Sequence, residues 1–570
     1  MKRSEAGVTQ FLQWFGTIIG PDSRYVWMAV IYGAGISLLW LATPISVQLL
    51  INSVAAIDVA TPLITLSLML LLMLTVLALL SAFRLYVIAL LERRIYTRIV
   101  AEITLRTVHA RDPHFYDSRR GDLFNRYFDM IMVQKSLPSL LIGLFAILLQ
   151  GGVGLVVTSF YHPYVFLFNV ILVLVLAIIW RVWVKDAIFT AVQQSEAKHQ
   201  TAHWIQSLAE SSGFFKSSRH LHHAINRSEA LSANWVDKHR RHFRQSFGQS
   251  IAFFVAFALS NAGFLALGGA LIIAGQLSLG QLVAAELILS SVFYGIAQVT
   301  IYLPTLYEFA ANLEETTRFW DVEQEDPGVK KRRPDSGALV LRNVSTGGHR
   351  FDFEVGAGEQ LAVVAGADER RALTQLLKRQ ERPQRGMLLI GGHDVGDFGL
   401  YELRSEVMIC DRAEMVEMSV RDYLDLAAEE TERQTEGADR RAVIYDSIDR
   451  VGLTQRIETL EDGLDTILSN SGWPFTVGEV MALNLAAALI SRPRLLVMSP
   501  LYDLLPPARV TAALAELKKG GTTVLQFTRR PTDLDRDALL WLGGTEQRRF
   551  ASMETFERDM GTETGYVLSA

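Results

Sequence analysis

The chain of 570 residues contains a single cysteine, Cys410. One cysteine excludes a disulfide within the chain and a cysteine-based metal site, because both need more than one thiol. A strong excess of one charge is also missing, since 55 Lys and Arg stand against 60 Asp and Glu, for a net charge of −5. No nucleic-acid partner is therefore predicted, because binding to a phosphate backbone needs a basic surface. The N-terminus lacks a clean apolar stretch with a small-residue cleavage site, so we predict a retained amphipathic helix there.

Long hydrophobic runs, by contrast, are abundant. Hydrophobic residues make up 50% of the chain and concentrate in residues 1–320. A membrane-spanning helix needs about 20 apolar residues, and six windows meet this requirement: 26–51, 62–91, 136–160, 163–184, 249–275 and 280–306. The sequence therefore predicts an all-α transmembrane domain with six spans over residues 1–320.

The distribution of Lys and Arg predicts how the spans are oriented. The short connections 52–61, 161–163 and 276–280 contain neither residue, whereas the long connections 92–135 and 185–248 contain many. Because positively charged connections stay in the cytoplasm, we predict that both long connections and both termini are cytoplasmic. Each long connection reads as a helical extension of its spans with one turn in it, at 111–123 and at 210–222.

The composition changes after the last span. Residues 321–337 are charged, contain Pro and Gly, and are predicted to form a linker. Beyond it, the short apolar runs 339–344, 360–364, 407–409, 495–498 and 524–527 alternate with helical stretches. This alternation is typical of an α/β domain, which we place at 338–560, followed by a tail at 561–570.

The segment 360–377 has the order of a strand, a phosphate-binding loop and a helix, but with the wrong residues. A working loop reads G-x-x-x-x-G-K-[ST]. Gly366 fills the first position, whereas Arg371 stands at the second glycine, Ala372 at the lysine and Leu373 at the hydroxyl that binds Mg²⁺, with Thr374 next. Without the second glycine the backbone N–H groups cannot easily converge on a phosphate.

Further degraded motifs follow in order, and together with the six spans they resemble a half-transporter of the ATP-binding cassette (ABC) exporters. The resemblance implies a Q-loop position at Asp411, Walker B positions at Ser499 and Pro500, and a switch position at Arg529. It also implies that the family signature is the run Phe475, Thr476, Val477, Gly478 and Glu479, where Glu479 would bring an unfavourable charge toward a γ-phosphate. An aromatic residue for stacking on adenine is missing at 346–348.

The resemblance implies a multi-domain fold, in which the all-α six-span domain precedes an α/β ABC-type cassette. One charge contact to a transition state typically contributes about 3–4 kcal/mol, and here the lysine, both Mg²⁺ contacts and the general base are replaced. We therefore predict no catalytic residue, no metal site and no ATP at the chain's own site, so that ATP and Mg²⁺ would bind only in a partner subunit. An unrelated α/β domain with chance matches is the alternative, but six positions in family order behind six spans favour the cassette.

In this family six spans form half of a pathway, so the resemblance implies a second half-transporter subunit in the inner membrane. A heterodimer is favoured over a homodimer, because an intact cassette would then supply the hydrolysis. Residues 275–286 are most similar to exporters of type I secretion, which work with a periplasmic adaptor. Glu286 lies inside the sixth span and is either a residue of the transport path or a helix-packing residue. An ATP-independent homodimeric scaffold or sensor, and a decayed transporter, are alternatives, and the sequence does not indicate the substrate.

Overall fold

A computed structural model describes residues 8–54, 61–111, 127–326, 332–411, 415–429, 438–531 and 536–560. The chain forms two compact units, Met1–Gln324 and Glu325–Ala570. The division between them falls inside the segment 321–337 that the sequence predicts as a linker. The predicted tail at 561–570 lies outside the described residues.

The first unit is built from helices throughout its described part. They are α1 (Val8–Ile19), α2 (Ser23–Trp40), α3 (Ala42–Val54), α4 (Thr61–Val108), α5 (Tyr127–Ser139), α6 (Phe145–Ser159), α7 (Pro163–Glu210), α8 (Ser218–Ile273) and α9 (Leu279–Thr317). Within the described residues, six helical segments are long and apolar enough to cross a membrane: Leu12–Ile51, Leu63–Val108, Phe128–Ser159, Pro163–Glu210, Ser218–Ile273 and Leu279–Thr317. The predicted six-span all-α domain is confirmed.

Several of these helices are longer than a membrane requires. Helices α4 and α7 each have 48 residues and α8 has 56, whereas about 20 residues cross the hydrocarbon core. The described parts of the long connections are therefore continuous with the spans. The turn predicted at 210–222 contains the end of α7 and the start of α8, joined through a short 3₁₀ turn at Phe214–Lys216. The turn predicted at 111–123 lies, apart from Arg111, outside the described residues.

Two buried carboxylates pair with basic residues and so connect helices of the first unit. The carboxylate of Asp22, whose side chain is fully buried just before α2, accepts hydrogen bonds at 2.8 Å from both Arg94 and Arg98 of α4. On α5, buried Asp129 pairs with Lys198 of α7 at 2.8 Å and also with the neighbouring His199. Removal of one partner from such a pair leaves a buried charge uncompensated, so these contacts fix how the helices pack.

The second unit is an α/β domain. Its strands are β1 (Leu339–Thr346), β2 (His349–Val355), β3 (Gln360–Ala365), β4 (Arg385–Ile390), β5 (His393–Asp394), β6 (Val407–Cys410), β7 (Met418–Ser419), β8 (Ile467–Leu468), β9 (Leu495–Met498), β10 (Thr523–Phe527), β11 (Ala538–Leu542) and β12 (Gln547–Phe550). Its helices are α10 (Ala367–Leu377), α11 (Leu400–Glu406), α12 (Val420–Glu429), α13 (Ala438–Val451), α14 (Thr454–Glu458), α15 (Val477–Ser491), α16 (Pro507–Lys519) and α17 (Met553–Met560). The predicted α/β class is confirmed.

The main sheet has the strand order β12-β11-β3-β10-β9-β6. Its neighbours from β11 to β6 are parallel, and β12 is antiparallel to β11. Strands β2-β1-β4-β5 form a separate antiparallel sheet. Because β3, β10, β9 and β6 are parallel neighbours, the residues that follow them meet at one edge, which is where open α/β sheets bind ligands.

Candidate functional site

Five of the predicted site residues follow strands at this carboxyl edge of the main sheet. Gly366 follows β3, Asp411 follows β6, Ser499 and Pro500 follow β9, and Arg529 lies just after β10. The strand ends are linked directly, because the Ser499 backbone N–H donates to the carbonyl oxygen of Cys410 at 3.0 Å, and that of Thr528 donates to Val363 at 3.0 Å. The structure therefore brings together residues that lie more than 160 positions apart in the sequence.

Helix α10 begins immediately after the strand, so that it runs through the positions of the phosphate loop. Gly366 is its N-cap, with extended backbone at φ −67° and ψ 170°, and Ala367 is already helical. Arg371, at the position of the second glycine, is an exposed residue within the helix. Helical backbone directs its N–H groups along the helix axis, so these positions do not form the concave nest of N–H groups that a phosphate loop provides.

The side chains at the lysine and magnesium positions lie in the protein core. Ala372 is 7% exposed, Leu373 is fully buried, and Thr374 is 6% exposed. Leu373 belongs to the hydrophobic core beneath the sheet, together with Val363 and other strand residues. The Thr374 hydroxyl donates to the carbonyl oxygen of Arg371 at 2.9 Å within the same helix. The hydroxyl and both apolar side chains are therefore directed away from the edge where a nucleotide would bind.

The start of α10 carries a negative charge of the chain's own. The Glu369 side chain, 17% exposed, lies so close to Gly366 that a Cβ atom there would overlap its Oε2. Its other oxygen is 3.6 Å from Nδ1 of His349. A helix N-terminus attracts anions, and here the Glu369 carboxylate brings a negative charge close to that N-terminus.

Charges of both signs fill the rest of this edge. The Asp411 carboxylate, at the Q-loop position, is 3.6 Å from Nζ of Lys378. Burial and the nearby charge of Arg529 lower the pKa of Arg370, and Asp411 partly opposes this shift. The loop position, the Q-loop position and the switch position are thus close enough to interact electrostatically, but the acidic Asp411 replaces a neutral glutamine among them.

The segment after β9 is held by its own hydrogen bonds. The Ser499 hydroxyl accepts from the backbone N–H of Leu501 at 3.4 Å and caps a 3₁₀ turn that begins at Pro500. The carboxylate of Asp503 in this turn accepts from the Thr528 hydroxyl at 2.9 Å and from the backbone N–H of Arg529 at 2.8 Å. Asp503 therefore fixes the segment that carries the switch position, a role that the sequence reasoning missed.

The signature segment is engaged in capping its helix. Thr476 is the N-cap of α15 and forms a capping box with Glu479: the Thr476 backbone N–H donates to Glu479 Oε2 at 2.8 Å, and the Thr476 hydroxyl accepts from the Glu479 backbone N–H at 3.3 Å. The other oxygen of Glu479 is 3.2 Å from Nε of Arg456. Phe475 is buried, whereas Val477 is 46% exposed beside Gly478. The Glu479 carboxylate is thus directed to its own helix end and to Arg456, and its unfavourable charge toward a γ-phosphate stays a prediction.

The connection that would carry an adenine-stacking residue is short. Strands β1 and β2 are joined only by Gly347 and Gly348, with φ values of 55° and 86°. Two consecutive residues with positive φ form the tight turn that favours glycine, and such a turn leaves no loop for an aromatic side chain. The nearest ring along the chain is that of His349, which stacks at 6.4 Å between centroids on Phe351.

Glu286, the predicted transport-path candidate, is half-buried on α9. Its Oε1 accepts a hydrogen bond from the Ser290 hydroxyl, one turn further along the same helix, at 2.9 Å. The side chain is therefore satisfied locally, and its role in transport stays a prediction. Among the residues that the structure describes, no group of three or more His, Cys, Asp or Glu side chains is placed to hold a metal ion.

The chain is similar to known proteins both in sequence and in structure. No family model matches the chain. In sequence it is similar to the β-(1→2)glucan export ATP-binding/permease protein NdvA of Agrobacterium fabrum, at 27% identity over 309 residues, or 51% of this chain and 50% of that protein. It is also similar to the uncharacterized ABC transporter ATP-binding protein YfiC of Bacillus subtilis, at 24% identity over 365 residues. The chain spans about half the length of the relatives it matches.

In structure the chain is similar to a bacterial Atm1-family ABC exporter with ATP bound. The TM-score is 0.79 at 16% identity, and the similarity covers 96% of this chain and 97% of that one. These findings define the class of fold, which is that of the ABC exporters. Within that class the chain has the architecture of a half-transporter, with one six-span domain followed by one cassette, and the predicted resemblance is confirmed.

Proposed function

We propose that this chain is the non-hydrolysing subunit of an ABC-type exporter, which contributes half of the translocation pathway and pairs with an ATPase-competent subunit. The observation that carries the proposal is the course of α10 through the phosphate-loop positions, with Leu373 in the core and the Glu369 carboxylate at the helix start. A polyphosphate at the start of α10 would meet the Glu369 carboxylate, and the lysine of a working loop is replaced by buried Ala372. Its binding would therefore be opposed by the charge that is already there.

The size of the missing contributions supports the same conclusion. Removal of one preorganised contact to a transition state typically costs about 3–4 kcal/mol. The lysine, the magnesium hydroxyl, the magnesium carboxylate and the general base are replaced here by Ala372, Leu373, Ser499 and Pro500. Losses of this kind are not additive, but two of them alone already lower a rate by several orders of magnitude.

The proposal assigns the remaining parts of an exporter to other molecules. A second half-transporter with an intact cassette would bind ATP and Mg²⁺, and we propose a heterodimer in the inner membrane with both termini of this chain in the cytoplasm. A periplasmic adaptor is a further proposed partner. Because several relatives are named for β-(1→2)glucan export, an exported polysaccharide is the first substrate to test.

Purification of the tagged full-length chain from its native membrane tests the pairing. We expect a partner subunit with an intact phosphate loop, and Mg²⁺-dependent ATPase activity in the complex that is lost when the partner's loop lysine is replaced. The matched variant in this chain is Arg371→Ala, at an exposed position of α10, which should leave the activity of the complex within about twofold.

Two results would contradict the proposal. The chain purified alone could bind Mg²⁺-ATP and hydrolyse it at rates typical of exporters, which would show that its own site works. Alternatively, it could be isolated as a homodimer without any ATPase, which would support the scaffold or sensor instead.

A further inference from the structure

A cavity of about 340 Å³ lies among the membrane helices of the first unit. We call it the span cavity. Its walls come from α6, α7, α8 and α9 and are apolar throughout, and they include Leu148, Gly151, Gly152, Trp180, Phe253 and Gly295. These residues fall within four of the windows that are long and apolar enough to cross a membrane. They also fall within the apolar windows 136–160, 163–184, 249–275 and 280–306, so the cavity lies in the part of the helices that we predict to cross the membrane.

Glycines on α6 account for the open space. A Cβ atom at Gly152 would meet nothing within 4 Å, and one at Gly151 would first meet Val292 at 3.9 Å. On α9, Gly295 allows Ile147 to approach, since a Cβ atom there would be 3.0 Å from its side chain. The helices are therefore close at Gly295 and separated beside Gly152, where side chains are missing from the gap.

A widened helical turn forms one end of the cavity. Pro138 lies near the end of α5 and cannot donate a backbone hydrogen bond. The next residues, Leu140–Leu144, form a π-helical turn before α6 begins, and Leu144 lines the cavity. Such turns often occur at functional sites, and this one lies where the cavity starts.

The chemistry of the walls limits what can occupy the space. The lining side chains offer no charge and no hydroxyl, so water would gain few hydrogen bonds there. A sugar would leave its hydroxyl groups unpaired, at a cost of several kcal/mol. The volume lies within the range of about 300–1,000 Å³ typical of ligand pockets. A flexible hydrocarbon chain fits this volume, matches the apolar walls and needs no hydrogen-bond partner.

The position of Leu148 indicates where such a chain comes from. Leu148 lines the cavity and is also 57% exposed on the outside of α6. The cavity is therefore continuous with the apolar surface of the membrane helices, whose solvent is lipid. We propose that the span cavity holds one acyl chain of a membrane phospholipid, with its headgroup outside the cavity. This inference does not rest on the proposed function.

Photolabelling of the full-length chain tests the proposal. The chain would be reconstituted in nanodiscs that contain a phospholipid with a diazirine in the middle of one acyl chain, and the labelled peptides would be mapped by mass spectrometry. We expect labelling of the cavity peptides from α6 and α9 to exceed that around Leu174, which is 56% exposed on α7 outside the cavity, by about fivefold.

A matched pair of variants gives the control. Gly152→Leu fills the cavity, whereas Gly269→Leu on α8 also places its Cβ where nothing lies within 4 Å, but away from the cavity. We expect Gly152→Leu to lower the cavity labelling about fivefold and Gly269→Leu to leave it unchanged. Equal labelling in both variants, or labelling no stronger than at Leu174, would overturn the proposal.

A second measurement does not depend on how well the glycine variants fold. Trp180 lines the cavity, so phospholipids brominated on the acyl chain should quench its fluorescence. The difference in quenching between the unmodified chain and Trp180→Phe isolates this residue, and Trp183→Phe, one turn away and outside the cavity lining, is the control. No difference between the two variants would also overturn the proposal.

Discussion

Replacement of Leu373 by serine would restore the hydroxyl with which a working phosphate loop binds Mg²⁺, yet we expect it to destabilise the second unit. Leu373 is fully buried in the core beneath the main sheet. The hydroxyl of the variant would therefore enter the hydrophobic core, where no nucleotide can reach it. A loss of stability would show that Leu373 is a core residue, whereas a residue that lines a nucleotide site would tolerate the change.

The magnitude follows from the burial of this side chain. Truncation of a fully buried leucine typically costs about 2–5 kcal/mol, through lost burial and the cavity that remains. A buried hydroxyl adds about 1–3 kcal/mol when it is unpaired, but in a helix it can donate to a carbonyl oxygen of the preceding turn. We therefore expect a loss of about 3–5 kcal/mol, which for a domain of this size lowers the melting temperature by about 10 °C.

The single cysteine provides an assay that reports on the second unit alone. Cys410 is buried, and its burial raises the pKa of the thiol to about 11, so a thiol-reactive dye should label it only when this unit unfolds. Thermal unfolding of the full chain would be followed by dye incorporation, with Arg371→Ser as the exposed control on α10, for which the shift should stay within about 2 °C. The reasoning is refuted if Leu373→Ser melts with the unmodified chain, or if it gains Mg²⁺-dependent ATP binding.

Three other outcomes are expected. In native conditions at pH 8, Cys410 should resist maleimide for hours, and urea should make it react within minutes; fast labelling of the native chain would contradict its burial. Burial alone would raise the pKa of Asp537. The hydrogen bonds from Lys518 and from a backbone N–H outweigh this effect, so the pKa lies below its ordinary value. This carboxylate therefore stabilises the fold above about pH 4, and the stabilisation is lost as the pH falls through its folded pKa. Asp537→Asn should therefore weaken the fall in the free energy of unfolding at acidic pH. An unchanged fall would contradict this role of Asp537. Thr476→Ala should cost about 1 kcal/mol in urea unfolding by loss of the capping box with Glu479, and a neutral effect would show that the cap is dispensable.

The spans and the order of the motif positions could be predicted because both depend on local patterns. A run of about 20 apolar residues is sufficient to indicate a membrane helix. The runs 360–364, 407–409, 495–498 and 524–527 also indicate four strands, and the structure has β3, β6, β9 and β10 there. Since these strands are parallel neighbours, the positions that follow them converge without any further information.

Two local sequence patterns predict helix starts within the segments that resemble the phosphate loop and the family signature. Asp368 and Glu369 directly after Gly366 are typical of a first helical turn, and they indicate that the helix starts there. Thr476 followed three residues later by Glu479 is a capping-box pattern, which predicts that this carboxylate serves its own helix. In both segments the backbone forms a helix start, and the ligand contacts that the resemblance implies stay predictions.

Other features could not be predicted because their partners are distant in sequence. Asp503 binds Thr528 and the backbone of Arg529, about 25 residues away, and no periodicity indicates that contact. The span cavity depends on the spacing between helices at Gly152 and Gly295, which only packing determines.

The residues at the phosphate-loop positions support one another in the fold, and under the proposed function this opposes the introduction of a nucleotide site. A glycine at position 371 would cost about 1 kcal/mol within the helix, and a lysine in place of buried Ala372 would place a charge in the core at a cost of several kcal/mol. Each single reversion therefore weakens the fold before it creates a site, because a working loop also requires the first turn of α10 to unwind and Glu369 to leave its N-terminus. Under this reasoning, stepwise reversion of Arg371, Ala372 and Leu373 should lower stability at every step without Mg²⁺-ATP binding, which isothermal titration calorimetry of the full chain can measure. Detectable binding after the first or second reversion would show that the phosphate loop is still latent in this sequence.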